Sequence, residues 1–163
     1  GGMREDIMGD DLVIAMSAIR MEGTTKEYAP VEWPATADYE TVCALNAAAD
    51  KLAYRHATGV VQSKDSFYGQ HDPASMAAVP ALFEKWGAWV RLGALFSEVE
   101  NAALFTVAAL RRVRCGSVLH VIANQTRRDK GLSDPKVYDT DKAVRTAVEA
   151  MRIMIEQDRS KHA

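Results

Sequence analysis

The sequence predicts an α/β layered domain. Short apolar runs bounded by turn residues alternate with longer stretches of helical periodicity, and polar clusters follow several of the apolar runs. No repeat, low-complexity segment or Gly-, Ser- or Pro-rich linker divides the 163 residues, so 1–163 reads as a single domain. With 48% apolar and 26% charged residues, the chain has the composition of a globular protein rather than a disordered one.

Residues 11–20 (DLVIAMSAIR) form an apolar run after a Gly-Asp-Asp turn and predict a buried strand. Residues 22–34, with two prolines, predict a loop. Over 38–53, Val42, Leu45, Ala49 and Leu52 recur on one helical face, with Thr36 or Asp38 as the cap. ATGVVQ at 57–62 predicts a second strand, ending at KDSFYGQ. Over 80–92 a helix is expected to bury Leu82, Phe83, Trp86 and either Trp89 or Val90. A strand over 94–100 passes into the helical NAALFTVAALRRV, and SVLHVIA at 117–123 predicts another strand. The last helix, about 141–157, would bury Val144, Val148, Met151 and Ile155 as one stripe, capped by Asp139 or Thr140.

Lys and Arg number 20 against 22 Asp and Glu, a net charge of −2 that gives no overall field for nucleic acid or an anionic membrane. The basic clusters Arg111, Arg112, Arg114 and Arg127, Arg128, Lys130 read as solvated helix ends or loops. Cys43 and Cys115 sit singly in apolar stretches, which predicts buried free thiols and a reducing, cytoplasmic compartment. The N-terminus shows no secretory signal, and no apolar run reaches membrane-spanning length. The opening GGMREDIMGDD, without a starting methionine, looks like something cut from a longer protein.

Chemistry is concentrated in a few places. KDSFYGQHDP (64–73) sets Phe67 and Tyr68 beside a glycine and Gln70. An aromatic face next to an amide that both donates and accepts suits a planar heterocycle; the same stretch also reads as an aromatic anchor under a surface turn. Glu98 and Glu100, two apart on an apparent strand, would point to the same side. Such a pair can bind a metal, act as acid and base, or accept hydrogen bonds from vicinal hydroxyls; alternatively, one of them caps the following helix. His56, His71, His120 and His162 are scattered without ligand spacing, arguing against a dedicated zinc site, and His120 reads as a sheet residue. Nucleophile-elbow, P-loop and dinucleotide fingerprints do not occur.

Read together, GGMREDIMGDDLVIAMSAIRMEGTTKEYAPVEWPATADYE, GVVQSKDSFYGQH and SEVENAALFTVAALRRVRCGSVLHVIANQ closely resemble the nucleoside phosphorylase family, on its uridine-acting side. The resemblance runs from residue 1 to the final helix. It implies a three-layer α/β/α fold around a mixed, partly barrel-like sheet, here lacking its N-terminal part. It also implies an intracellular homo-oligomer, commonly a hexamer built from dimers in the family. The implied reaction is phosphorolysis of uridine to uracil and ribose 1-phosphate, with phosphate as co-substrate and no cofactor. In that family Phe67 would pack on the uracil ring and Gln70 would bind its carbonyl and imide edge. Within EVEN, Glu100 would accept hydrogen bonds from the ribose hydroxyls as the catalytic group, Glu98 would support it, and Val99 would pack beside the sugar. Asn124, in VIANQ, would help close the base pocket where purine-acting relatives carry an aspartate.

The chain also departs from the family pattern. Asp72 and Gln125 stand where well-known bacterial forms carry arginines, and His71, Arg127 or Arg128 are candidates to replace that charge. Asn101 replaces a serine. The family's phosphate-holding glycine and arginines match nothing here, which implies little turnover by this chain alone. The loss of both arginines keeps open a same-fold enzyme acting on another nucleoside, by phosphorolysis or hydrolysis, and the missing phosphate groups keep open a non-catalytic fragment.

Overall fold

The computed structural model describes residues 1–161. Apolar runs able to bury both faces become the central strands, because helices cover the sheet on each side. In chain order the elements are β1 (Leu12–Met21), α1 (Thr24–Tyr28), β2 (Ala35–Thr36), α2 (Tyr39–Lys51), β3 (His56–Lys64), α3 (Tyr68–His71), α4 (Val79–Arg91), β4 (Phe96–Glu98), α5 (Asn101–Arg111), β5 (Ser117–His120), α6 (Gln125–Asp129) and α7 (Asp141–Lys161). A single 3₁₀ turn, Pro73–Ser75, precedes α4.

β1 is the hub. It pairs in parallel with β3 along its whole length, and β3 pairs in parallel with β4. On its other side β1 runs antiparallel to β5 through residues 12–15 and to β2 through residues 17–18. The sheet is therefore mixed. Alternation along β1 sends Val13 and Ala15 to one side, where they pack with Val61, Ala102 and Phe105 under α5. Ile14 points to the other side, into a cluster with Val42, Leu45, Ala48, Ala150 and Met154 from α2 and α7. Helices thus cover both faces in an α/β/α arrangement, and Leu12–Ala15 of β1 read as an apolar run because both of their faces are buried, whereas Met16 just beyond is exposed.

Several details differ from the sequence reading. The 22–34 stretch holds the short α1, and Arg20 organises the rest of the loop by donating to the carbonyls of Thr25, Ala29, Pro30, Val31 and Trp33. Asp38, not Thr36, caps α2, its Oδ1 accepting from Thr41 N at 2.9 Å. α4 buries nothing fully: Leu82, Trp86, Trp89 and Val90 are half-buried and Phe83 is exposed. Cys43 is exposed and Cys115 half-buried, both as free thiols.

The largest reversal is α7. Its Val144, Val148, Met151 and Ile155 are 45–57% exposed, while Thr146, Ala150 and Met154 face the core. The cluster it shares with α2 is rich in alanine, with Ala44, Ala48 and Ala49 beside Val42 and Leu45 on one side and Ala150 with Met154 on the other. Small side chains let helix axes approach closely, and that requirement outranks the greater hydrophobicity of the valine stripe. No helix among the described residues is long and apolar enough to cross a membrane.

Residues 1–3 also do more than lead into β1. Gly2 bridges Phe96 on one side and Asn124 on the other, and Met3 N donates to Leu95 O at 2.8 Å. The following turn fits tightly: a Cβ on Gly9 would stand 2.3 Å from the carbonyl oxygen of Pro135. Because the obstructing atom is backbone, the 7–10 turn or the 132–140 segment must move. Gly9→Ala is expected to cost about 1–3 kcal/mol, read as a lower thermal midpoint. An unchanged midpoint would mean that the segment yields freely.

Candidate active site

The carboxyl ends of the three parallel strands converge. Met21 ends β1, Lys64 ends β3 and Glu98 ends β4, with Met21 paired to Lys64 and Ser63 paired to Glu98. Ligands collect at such ends because the sheet stops there and loops diverge. A cavity of about 600 Å³ opens at this edge, between the strand ends, the 65–74 segment and α4. Met21, Leu82 and Trp86 supply apolar wall, and Gln62, Lys64, Gln70 and Gln125 supply polar groups. Its size and mixed lining suit one small planar polar molecule.

The polar groups form a connected chain. Lys64 Nζ donates to Ser97 Oγ at 2.6 Å, and Ser97 Oγ donates to Gln70 Oε1 at 2.6 Å. Gln70 Nε2 in turn donates to Gln125 Oε1 at 2.9 Å. With Oε1 toward Ser97 and Nε2 toward Gln125, the Gln70 amide keeps one free N–H. Gln62 is buried, donates to Met21 Sδ at 3.0 Å, and keeps an unpartnered Oε1, an acceptor that a bound donor would satisfy. His71 also lines the cavity; burial first, then the positive charges of Lys64 and Arg128, holds its imidazole down to about 4. At neutral pH it is uncharged.

The two glutamates separate sharply. β4 ends at Glu98, so Val99 and Glu100 lie in a bend and the expected shared side is not realised. Glu98 is buried and turned inward. One oxygen accepts from Ser63 Oγ, the other from the backbone N–H of Glu100 at 2.5 Å and of Asn101 at 2.7 Å. It therefore caps α5, as the capping alternative required. Burial above all, with the like charge of Glu100 adding, lifts its carboxyl above the ordinary range against these hydrogen bonds. Glu100 stays exposed, and its carboxylate reaches only the neighbouring Val99 N–H at 3.1 Å. Among the described residues no further donor reaches its remaining lone pairs.

Of the residues singled out in the sequence, Gln70 lines the cavity, as do Asp72 and Gln125. Phe67 does not: it is 59% exposed and stacks on His71, ring centroids 4.1 Å apart. Val99 is exposed in the bend. Asn124 is fully buried and wholly committed, donating to Arg4 O and Ile7 O at 2.8 Å each and accepting from Arg127 N at 3.0 Å. It ties the N-terminal segment to α6, and it is the adjacent Gln125 that reaches the cavity. Arg127 is held by Ser133 O and Glu5 O, away from the cavity wall, and Arg128 lies 3.7 Å from Asp134. His120 is buried in β5 with Nε2 2.9 Å from Val137 O, while His162 lies outside the described residues. Lys64, Ser97 and Gln62 were not singled out from sequence. The signal that points to them is a polar residue directly after an apolar run, at the carboxyl end of a parallel strand.

A mixed sheet covered on both faces, with a polar cavity at the carboxyl ends of its parallel strands, defines an α/β domain of the ligand-binding kind. A family model described as the Phosphorylase superfamily matches residues 1–156, and the chain belongs to that superfamily. The uridine phosphorylase of Treponema pallidum is 54% identical over 158 residues, covering 97% of this chain and 61% of the relative. That of Thermococcus kodakarensis is 36% identical, covering 99% and 57%, and that of Escherichia coli is 31% identical, covering 95% and 62%. The chain thus spans about three fifths of the length of the curated relatives it matches.

Proposed function

We propose that the protein to which this chain belongs catalyses reversible phosphorolysis of uridine. A phosphate oxygen attacks the anomeric carbon, the glycosidic bond breaks, and its electron pair leaves on uracil, giving ribose 1-phosphate. The observation that carries this reading is the amide of Gln70, held between Ser97 and Gln125 in the wall of a cavity with ample room for a nucleoside. The identity of 54% to a protein named uridine phosphorylase gives the substrate class. Gln70 binds the base edge, Glu100 accepts from the ribose hydroxyls, and Glu98 supports Glu100 by holding the bend. Val99 packs beside the sugar, Phe67 turns from its rest on His71 onto the base when the base binds, and Asn124 acts by positioning the 124–125 segment. The family resemblance supports a cytoplasmic homo-oligomer acting in pyrimidine salvage, with uridine, uracil, phosphate and ribose 1-phosphate as its ligands and no cofactor.

Uracil release from uridine by the full-length protein, with and without phosphate, tests the reading. Phosphate-dependent release with formation of ribose 1-phosphate is expected. Release without phosphate would instead indicate a hydrolase, the reading that Asp72 and Gln125 favour by standing where arginines were expected. Gln70→Leu is expected to weaken uracil binding by about 1–3 kcal/mol, seen by calorimetry, and to leave ribose 1-phosphate binding nearly unchanged. Equal losses for both ligands would give Gln70 a structural role only.

A further inference from the structure

We infer that Lys64 assists departure of the base, acting through Ser97 on the Gln70 amide as a cation–hydroxyl–amide relay. The inference rests on the phosphorolysis reading and adds a residue to it. Lys64 is buried at the carboxyl end of β3 and lines the cavity. Removing an ammonium group from water is costly, and burial accordingly pushes its pKa down, opposed by the charges of Glu98 and Glu100. A strand terminus at the surface of a domain rarely retains such a group without a use for it.

The direction of each hydrogen bond defines that use. Ser97 has one hydroxyl proton, and it is given to Gln70 Oε1, so the Ser97 oxygen must accept from Lys64. A cation on one side of a hydroxyl strengthens the bond that hydroxyl donates on the other. Drawing electron density toward Gln70 Oε1 makes the amide N–H a stronger donor. As the glycosidic bond breaks, uracil gains negative charge on its ring nitrogen and carbonyl oxygens, and a carbonyl facing Gln70 then accepts more strongly. The gain is larger in the transition state than in the ground state, so it falls on kcat. Lys64 need not touch the substrate; it is a positioning and polarising residue.

The test compares uridine with 5-fluorouridine, whose ring fluorine withdraws electrons and reduces the stabilisation the leaving base requires. In the full-length protein at saturating phosphate, Lys64→Met is expected to lower kcat for uridine about 30-fold, with KM for uridine within about twofold of wild type. For 5-fluorouridine the loss should shrink to about fivefold or less. Ser97→Ala, which removes the hydroxyl and leaves the lysine, should show the same dependence on the leaving group. Equal fold losses on both nucleosides in either variant, or a loss confined to KM, would overturn the relay. Wild-type protein lacking phosphate-dependent turnover would overturn the phosphorolysis reading, and the relay with it.

Discussion

Replacing Glu100 by alanine in the full-length protein is expected to lower kcat for uridine phosphorolysis by about 100-fold or more while leaving the fold intact. Glu98 and Glu100 differ in what they have left to give. Glu98 spends both oxygens on Ser63 and on two backbone N–H groups. Glu100, exposed in the bend, has one local contact among the described residues. A carboxylate with free lone pairs can accept from two ribose hydroxyls. Those bonds tighten as the sugar becomes oxocarbenium-like, so removing them acts on the chemical step. Phe67→Leu should be milder and fall on KM, because stacking contributes alike to ground and transition states. The side chain also lies on His71 outside the cavity wall. Steady-state kinetics of the two variants decides the matter. If both changed KM alone, Glu100 would not be the ribose carboxylate.

How far the sequence could be read depended on the kind of signal each residue gives. β1 was legible because LVIA is buried on both faces, and β3 because its β-branched Val60 and Val61 favour a strand even though Val60 is exposed. α7 was legible as a helix but not in its orientation. Val144, Val148, Met151 and Ile155 outweigh Ala150 on any hydrophobicity scale, yet close approach to α2 selects small side chains, a property of the pair and not of the helix alone. The glutamates turned on one fact, the end of β4 at Glu98, and strand boundaries are poorly marked in sequence. Gln70 was legible through its aromatic and glycine neighbours. Lys64 and Ser97 were not, because a lone polar residue in a strand carries no period. Their meaning comes from the parallel pairing that brings three strand ends together.

The largest expected loss of stability belongs to Glu98→Ala. Three groups depend on this carboxylate: the N–H of Glu100, the N–H of Asn101 and the hydroxyl of Ser63, which itself accepts from Ala102 N at 2.8 Å. Truncation would uncap the start of α5 in a site with little access to water, and α5 carries Phe105, one of the largest fully buried side chains. Losing charge-assisted caps at a buried helix start costs about 3 kcal/mol, above the cost of an exposed cap. Glu98→Gln should cost less, since its amide oxygen can still accept from both backbone N–H groups. The pair also has a signature in pH. Because burial raises the folded-state pKa of Glu98, the folded protein holds this proton more tightly than the unfolded chain. Its contribution to stability therefore falls as pH rises from the unfolded value through the folded one, and Glu98→Gln lacks that slope. Denaturant unfolding of wild type and both variants, at neutral pH and near pH 4, measures all three effects. An alanine variant as stable as wild type would mean that water reaches the start of α5 and replaces the cap.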